Sequence, residues 1–295
     1  MFGRELKDRI NTLIMIMTII VVVITPVVIF LNLYIKSTYL FESSDLSDLL
    51  FSKTWEPLKG KFGFLPFIIG SVLITVLSVF IAGPVCFFTS IYLTQYAKGN
   101  LVRFMQPVID ILAGIPSVIY GVWGILVIVP FVSNHLAPIF NIQTTGYSLI
   151  SGSIVLAIMI IPFILNILIE IFRTVPFELT EATLALGATR WEVIKHVLLR
   201  KARPGIISAF GLGISRAFGE TIAVLMVAGN SVIIPKGLFD QVYPIPALIA
   251  NNYGEMMSVP LYDSALMLAA LILFITILFF NIISRIFIYR MEKLM

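Results

Sequence analysis

Few residues in this chain have types and spacings that could do chemistry, and the first is Arg216, in the otherwise apolar stretch GLGISRAFGETIAVLMVAGN. A guanidinium among apolar residues at bilayer depth costs about 2.5–3.5 kcal/mol even on the lenient insertion scale, so it calls for a partner or a water-filled cavity. Glu220 stands four positions on, which in an unbroken helix puts both side chains on one face. Gly211, Gly213 and Gly219 would let a neighbouring helix approach. Two uses are open: an ion pair that fixes packing, or a guanidinium gripping an oxyanion bidentately while Glu220 holds it or answers a proton. Ser117, Tyr120 and Asn230 offer hydrogen bonds to the same path and serve helix packing equally well. Asp110 reads as a helix-start or interfacial charge. His135 and His196 lie in separate loops, and Cys86 is the single cysteine. No metal site, disulfide or catalytic pair is expected. No GxxxxGK[ST] sequence is present, so this chain has no loop of that type for cradling a nucleotide.

The elements that must position these residues are membrane spans. Hydrophobic residues make up 59% of 295 and charged ones 12%, with a mean hydropathy of +1.03. No water-soluble core of this size needs so much apolar residue. The net charge of +4 sits mainly in loops, which membrane topology explains better than a nucleic-acid partner. Six transmembrane helices are predicted: Ile10–Ile35, one within Phe62–Ala97, Phe104 to Val132, Leu149 to Ile169 with a kink at Pro162, Pro204 to Val227, and Leu261 to Phe287. Lys36–Lys61 and Ser133–Ser148 read as external loops, the first with an amphipathic turn at Leu46–Phe51. The stretch Asn230–Pro260, with Pro235, Pro244, Pro246 and Gly254, is too irregular for a span and is expected to re-enter the bilayer or lie at its interface. Three basic residues precede the first span, two lie between the second and third, six fall in Arg173–Arg203 and three at the C-terminus, against five in the outer loops. Both termini and the Arg173–Arg203 loop are therefore expected in the cytoplasm.

That loop, RTVPFELTEATLALGATRWEVIKHVLLRKAR, reads as two short helices at an angle. Pro176, Glu178 and Glu181 suit a helix start, and Gly187 suits its stop. Thr189 with Glu192 makes a capping box, and Trp191, Ile194, Val197 and Leu198 share a face. Ala182 and Ala185 keep one side thin.

The run Glu181, Ala182, Thr183 followed by Gly187 resembles the EAA loop of ATP-binding-cassette importer permeases. The resemblance implies a type I ABC importer permease fold, and it implies that Glu181, Ala182 and Gly187 couple the chain to a separate ATPase dimer that binds the ATP. The family usually has Leu-Pro after the second helix. Here Leu199 is followed by Arg200, which leaves the exit angle of that helix open. AGIPSVIYGVWG and RAFGETIAVLMVAGN are similar to segments of phosphate importer permeases of the PstC type. This implies a heterodimer with a second permease subunit, an external phosphate-binding protein, inorganic phosphate as substrate, and Arg216, Glu220, Asn230 and Ser117 along its path. The sister PstA type, or a permease for another oxyanion, is the nearest alternative.

An ion-coupled carrier acting alone, with Glu220 and Arg216 as its relay, is the alternative of a different class. Such carriers often contain internal repeats, and none is evident here. The chain is expected to divide into an N-terminal helix and external loop (1–61), a transmembrane domain (62–287) and a cytoplasmic tail (288–295), in a bacterial or archaeal cytoplasmic membrane.

Overall fold

The computed structural model describes residues 2–43, 45–254 and 260–292. The end of the expected tail, 293–295 with Lys293, lies outside them. Among the described residues five helices are long and apolar enough to cross a bilayer: Lys7–Glu42, Leu65–Gln95, Ser117–Ile139, Leu149–Arg173 and Leu261–Arg290. The fold is an all-α, multi-span membrane architecture, with one two-stranded hairpin outside the bundle.

Helix α1 (Phe2–Ser43) extends past the expected span at both ends, because nothing between Ile10 and Ile35 stops it and Pro26 is accommodated within it. Its middle is apolar on every side and uncovered. Such a shaft suits a lipid solvent. Its last third packs on α11 (Pro260–Glu292), with the Phe30 ring 6.2 Å from that of Phe274. The amphipathic turn is a short helix, α2 (Leu46–Phe51), burying Leu49. Strands β1 (Trp55–Glu56) and β2 (Lys61–Phe62) pair antiparallel, and Trp55 packs edge-on against Phe62, Phe64 and Phe67. One apolar cluster therefore joins residues 40–67 to Tyr243, Leu248, Tyr262 and Leu266.

The bundle centre is the pairing of α3 (Leu65–Gln95) with α6 (Leu149–Arg173), the most extensive in the fold. Ile74, Ala82 and Cys86 meet Leu156, Ile160, Ile164 and Leu168 there. Between them the third expected helix is two: α4 (Gly99–Gly114) and α5 (Ser117–Ile139). The residue before a proline is pushed out of helical geometry, and Ile115 is extended at ψ 128° ahead of Pro116. Tyr120 spans the break, its hydroxyl donating to Leu112 O at 2.8 Å. Helix α5 then runs into what reads as external loop in the sequence. It contains two wide π turns, Gly124–Ile128 and Val132–Leu136, each shortly before a proline (Pro130, Pro138) whose ring would crowd the carbonyl four residues back.

Beyond α6 come α7 (Phe177–Ala185) and α8, a continuous helix over 190–219 made of Arg190–Val193, a π turn at Ile194–Leu198, and Leu199–Gly219. This corrects two expectations. The second loop helix does not end before a separate span, and Pro204 lies inside α8 instead of opening it. No proline follows Leu199, so nothing turns the chain there. Helix α8 stops at Gly219. Helices α9 (Ile222–Val227) and α10 (Ile245–Asn252) follow. The fifth expected span, Pro204–Val227, is thus interrupted, and Arg200, Lys201, Arg203 and Arg216 lower the hydropathy of its helix. The irregular stretch after Asn230 has Val242, Tyr243 and Ile245–Leu248 buried in protein.

Helices α8 and α11 touch where Gly211 meets Ser284, whose Oγ occupies the space a Cβ on residue 211 would need. Gly211→Leu is expected to part the two helices and destabilise the protein by about 1–3 kcal/mol, read as a lowered melting temperature in detergent, while Leu212→Ala on the exposed side is expected to leave it near the wild-type value.

Candidate functional site

Two regions carry the residues singled out by the sequence. The first is the α7–α8 elbow. Gly187 has φ +87°, a left-handed conformation that side chains with a Cβ resist. It closes α7 with a paired C-cap: Gly187 N–H donates to Leu184 O at 2.9 Å and Ala188 N–H to Thr183 O at 3.4 Å. The predicted capping box is present, with Glu192 N–H donating to Thr189 Oγ1 at 3.3 Å and Thr189 N–H to Glu192 Oε2 at 2.7 Å. These bonds, with the Thr189 hydroxyl and then the nearby His196, hold the Glu192 carboxyl below the usual glutamate range.

Glu181, Ala182 and Gly187 are exposed. So are Phe177 at 67%, Leu186 at 89% and Trp191 at 53%. Trp191 therefore departs from its expected face: Val193, Ile194 and Leu198 turn inward, Val197 is half-buried, and Trp191 points out. Behind the elbow a cavity of about 370 Å³, lined in part by Thr94, Thr180 and Arg190, separates it from the bundle.

The second region surrounds α9. The expected Arg216–Glu220 pair does not form, because the helix that would align them ends at Gly219. Glu220 is extended at φ −71°, ψ 129°. Its Oε1 instead accepts from Ala223 N–H at 3.4 Å, over the first turn of α9. Beside it lies a small space of about 10 Å³, lined by Ser71, Thr75 and Pro244 among others. Arg216 is exposed, and its guanidinium carbon lies 4.5 Å from the centre of the Phe163 ring on α6. A cation–π contact of this kind holds the charge without neutralising it.

Asn230 closes the other end of α9. With Gly229 it forms two successive left-handed residues, at φ 87° and 53°. Its Nδ2 donates to Leu225 O at 2.7 Å and its backbone N–H to Val242 O at 3.1 Å. Its Oδ1 is buried with no partner among the described residues.

Ser117 opens α5, which runs parallel to α9. A Cβ on Gly121 would stand 3.3 Å from Ala223 Cα, and one on Gly124 2.8 Å from Val227 Cγ1. Carried back one turn, that register sets Ser117 level with the break after Gly219. The structure thus gathers the four residues expected along a path around one short helix, Arg216 and Glu220 before it, Asn230 after it and Ser117 across from its start. Sequence reasoning missed Phe163. It also missed a polar cluster in which Asn166 Nδ2 donates to Asp110 Oδ1 at 3.1 Å and Gln106 Nε2 to Asn166 Oδ1 at 3.1 Å. Asn166, a lone amide in ILNILIE, was the available signal.

An apolar helical bundle that projects a stiff, partly greasy elbow and contains a broken helix bearing an unneutralised cation has the build of a solute permease. The chain belongs to the family of binding-protein-dependent transport system inner membrane components, which it matches over residues 87–294. It is a multi-pass membrane protein and a non-catalytic permease subunit of an ABC importer.

Its relatives include the phosphate transport system permease protein PstC of Xylella fastidiosa, 39% identical over 257 residues covering 82% of this chain and 79% of the relative. The probable ABC transporter permease protein YqgH of Bacillus subtilis is 37% identical over 261 residues, covering 88% and 83%. The probable PstC of Methanocaldococcus jannaschii is 36% identical over 261 residues, covering 83% and 82%. A solved structure of the MetNI methionine ABC transporter, inward facing, aligns with a TM-score of 0.61 at 19% identity, over 81% of this chain and 99% of that one. That likeness speaks to the fold alone.

Because the Glu192 carboxyl is held low, its contribution to the elbow is present above the ordinary glutamate range and is lost as pH falls through its own lowered value. Thr189→Ala removes the cap and is expected to speed hydrogen exchange of amides 190–193 about fivefold at neutral pH, the equivalent of about 1 kcal/mol. Unchanged exchange would show that packing alone holds the start of α8.

Proposed function

We propose that this chain is one of two permease subunits that carry inorganic phosphate into the cell, driven by an ATPase dimer and fed by an external phosphate-binding protein. The observation that carries the reading is Arg216: a guanidinium at a helix break, resting on Phe163 and joined to no carboxylate among the described residues. An exposed cation of this kind suits bidentate capture of a tetrahedral oxyanion. The names of relatives 36–39% identical over most of the chain favour phosphate as that oxyanion.

In this reading α8 with α9 is the fifth of six crossings, and both termini lie with the elbow on the cytoplasmic side. The chain keeps its division at 61/62 and 287/288. The exposed faces of Arg216 and α5 meet the second permease subunit, so that the path closes between the two. Glu220 caps α9 and keeps its carboxylate off the guanidinium, leaving Arg216 to the substrate. Ser117 and the spare Asn230 oxygen supply hydrogen bonds to a protonated phosphate oxygen. Glu181, Ala182 and Gly187 enter a groove of the ATPase, and Phe177, Leu186 and Trp191 give that contact its apolar area.

Two substitutions test the two ends of this reading. Arg216→Gln is expected to lower ATP-driven phosphate uptake by roughly tenfold to a hundredfold with the complex still assembled, as befits the loss of a charge-assisted contact of about 1.5–3 kcal/mol. Wild-type uptake in that variant would leave Arg216 with packing alone. Gly187→Trp places a bulky side chain at a left-handed, open position. It is expected to leave the chain inserted but to abolish both co-purification of the ATPase and uptake, and normal uptake by it would count against docking at the elbow.

A further inference from the structure

At the elbow end of the bundle, α8 and α11 part below their contact at Gly211 and Ser284. They leave a cleft of about 410 Å³ lined by Pro204, Gly205, Ser208, Arg285, Ile288 and Tyr289. The cleft contains one cation, Arg285, and the hydroxyls of Ser208 and Tyr289, and among the described residues no carboxylate lines it. Arg285 is in neither of the ion pairs among the described residues. Arg200, Lys201 and Arg203, within about a turn before Pro204 on α8, are exposed and add positive charge on that side. Arginine matches phosphate oxygens two at a time, and a hydroxyl beside it adds a third donor.

The wall facing the bilayer continues the pattern. Phe279, Ile282 and Ile286 are 58%, 55% and 49% exposed at helical spacing on α11. They form an apolar strip leading from the cleft toward the middle of the membrane, the course acyl chains take from a headgroup. Basic pockets between membrane helices on the cytoplasmic side suit acidic headgroups.

We propose that this cleft binds an anionic phosphate group, carried by an acidic phospholipid headgroup or free in solution. The site is separate from the path around α9, and it stands whatever solute the permease carries.

The test uses the full chain purified in neutral detergent. Native mass spectrometry follows retention of phosphatidylglycerol, phosphatidylcholine and inorganic phosphate. Phosphatidylglycerol is expected to be retained roughly tenfold over phosphatidylcholine. Arg285→Gln is expected to erase that preference and Arg285→Lys to keep part of it. Ser208→Leu, which fills the cleft without changing charge, is expected to lower retention too, with melting unchanged. Arg290→Gln, on the same helix but outside the cleft, is expected to have no effect.

If millimolar inorganic phosphate displaces the lipid and itself binds in an Arg285-dependent way, free phosphate is the occupant and the site stands. If the lipid stays, the headgroup is the occupant. Equal retention of the two lipids with no bound phosphate, no change in Arg285→Gln, or an equal loss in Arg290→Gln would each overturn the proposal.

Discussion

Hydrocarbon offers no water to a free N–H or C=O, so every place where a span stops being helical must be answered from within the protein. This chain breaks its helices in three places around α9, and each is answered within the protein. Tyr120 reaches across the gap at Ile115–Pro116. Glu220 N–H returns to Ala217 O at 3.3 Å, and its carboxylate serves the next turn. The longer excursion after α9 is matched to the start of α6: Leu149 N–H donates to Asp240 O at 2.8 Å, Ile150 N–H to Leu238 O at 2.9 Å and Ser148 N–H to Val227 O at 3.2 Å. The orphan donors of one helix start and the orphan carbonyls of one loop cancel each other. Broken backbone of this kind survives only where it is built into the protein, which is also where a solute path runs.

The same constraint accounts for the division of labour in the molecule. Helix α6 buries residues along most of its length and anchors the core. Helix α8 is poorer in apolar residues and richer in charge, and it touches α3, α6 and α11 through small residues. It is less deeply buried than α6, and it joins the elbow to the break. The elbow is locally over-determined by a C-cap and a capping box, yet among the described residues nothing covers its outer apolar side chains. Local stiffness with an unmet greasy surface fits a part that transmits force from a partner.

Much of this was legible wherever the information is local. The capping box is four residues, Gly187 is one, and both sit where expected. The α3 and α6 boundaries follow from uninterrupted apolar runs. Failures came where a periodicity argument assumed a helix that does not continue: the i, i+4 reading of Arg216 and Glu220 is sound geometry on an unbroken helix, and no proline warns of the stop at Gly219. Conversely, Pro204 suits a helix start, although α8 runs through it. Pro116 falls inside the single helix expected over Phe104–Val132 and makes a full break there. Phe163 under Arg216 could not be found from one sequence, since the two meet only through the packing of α6 on α8.

The contacts of Gly211 with Ser284 and of Gly213 with Ile164 lie much nearer the arginine of α8 than its elbow. At 1.5 Å of rise per residue, the arm from Trp191 to Gly211 is about 30 Å and the arm from Gly211 to Arg216 about 7.5 Å. A rod pivoting there is a lever of roughly four to one. A swing of several ångströms at the elbow emerges as about an ångström at the guanidinium, reversed in direction and multiplied in force. Gearing of that kind trades reach for strength, which suits release of an anion held as proposed for Arg216.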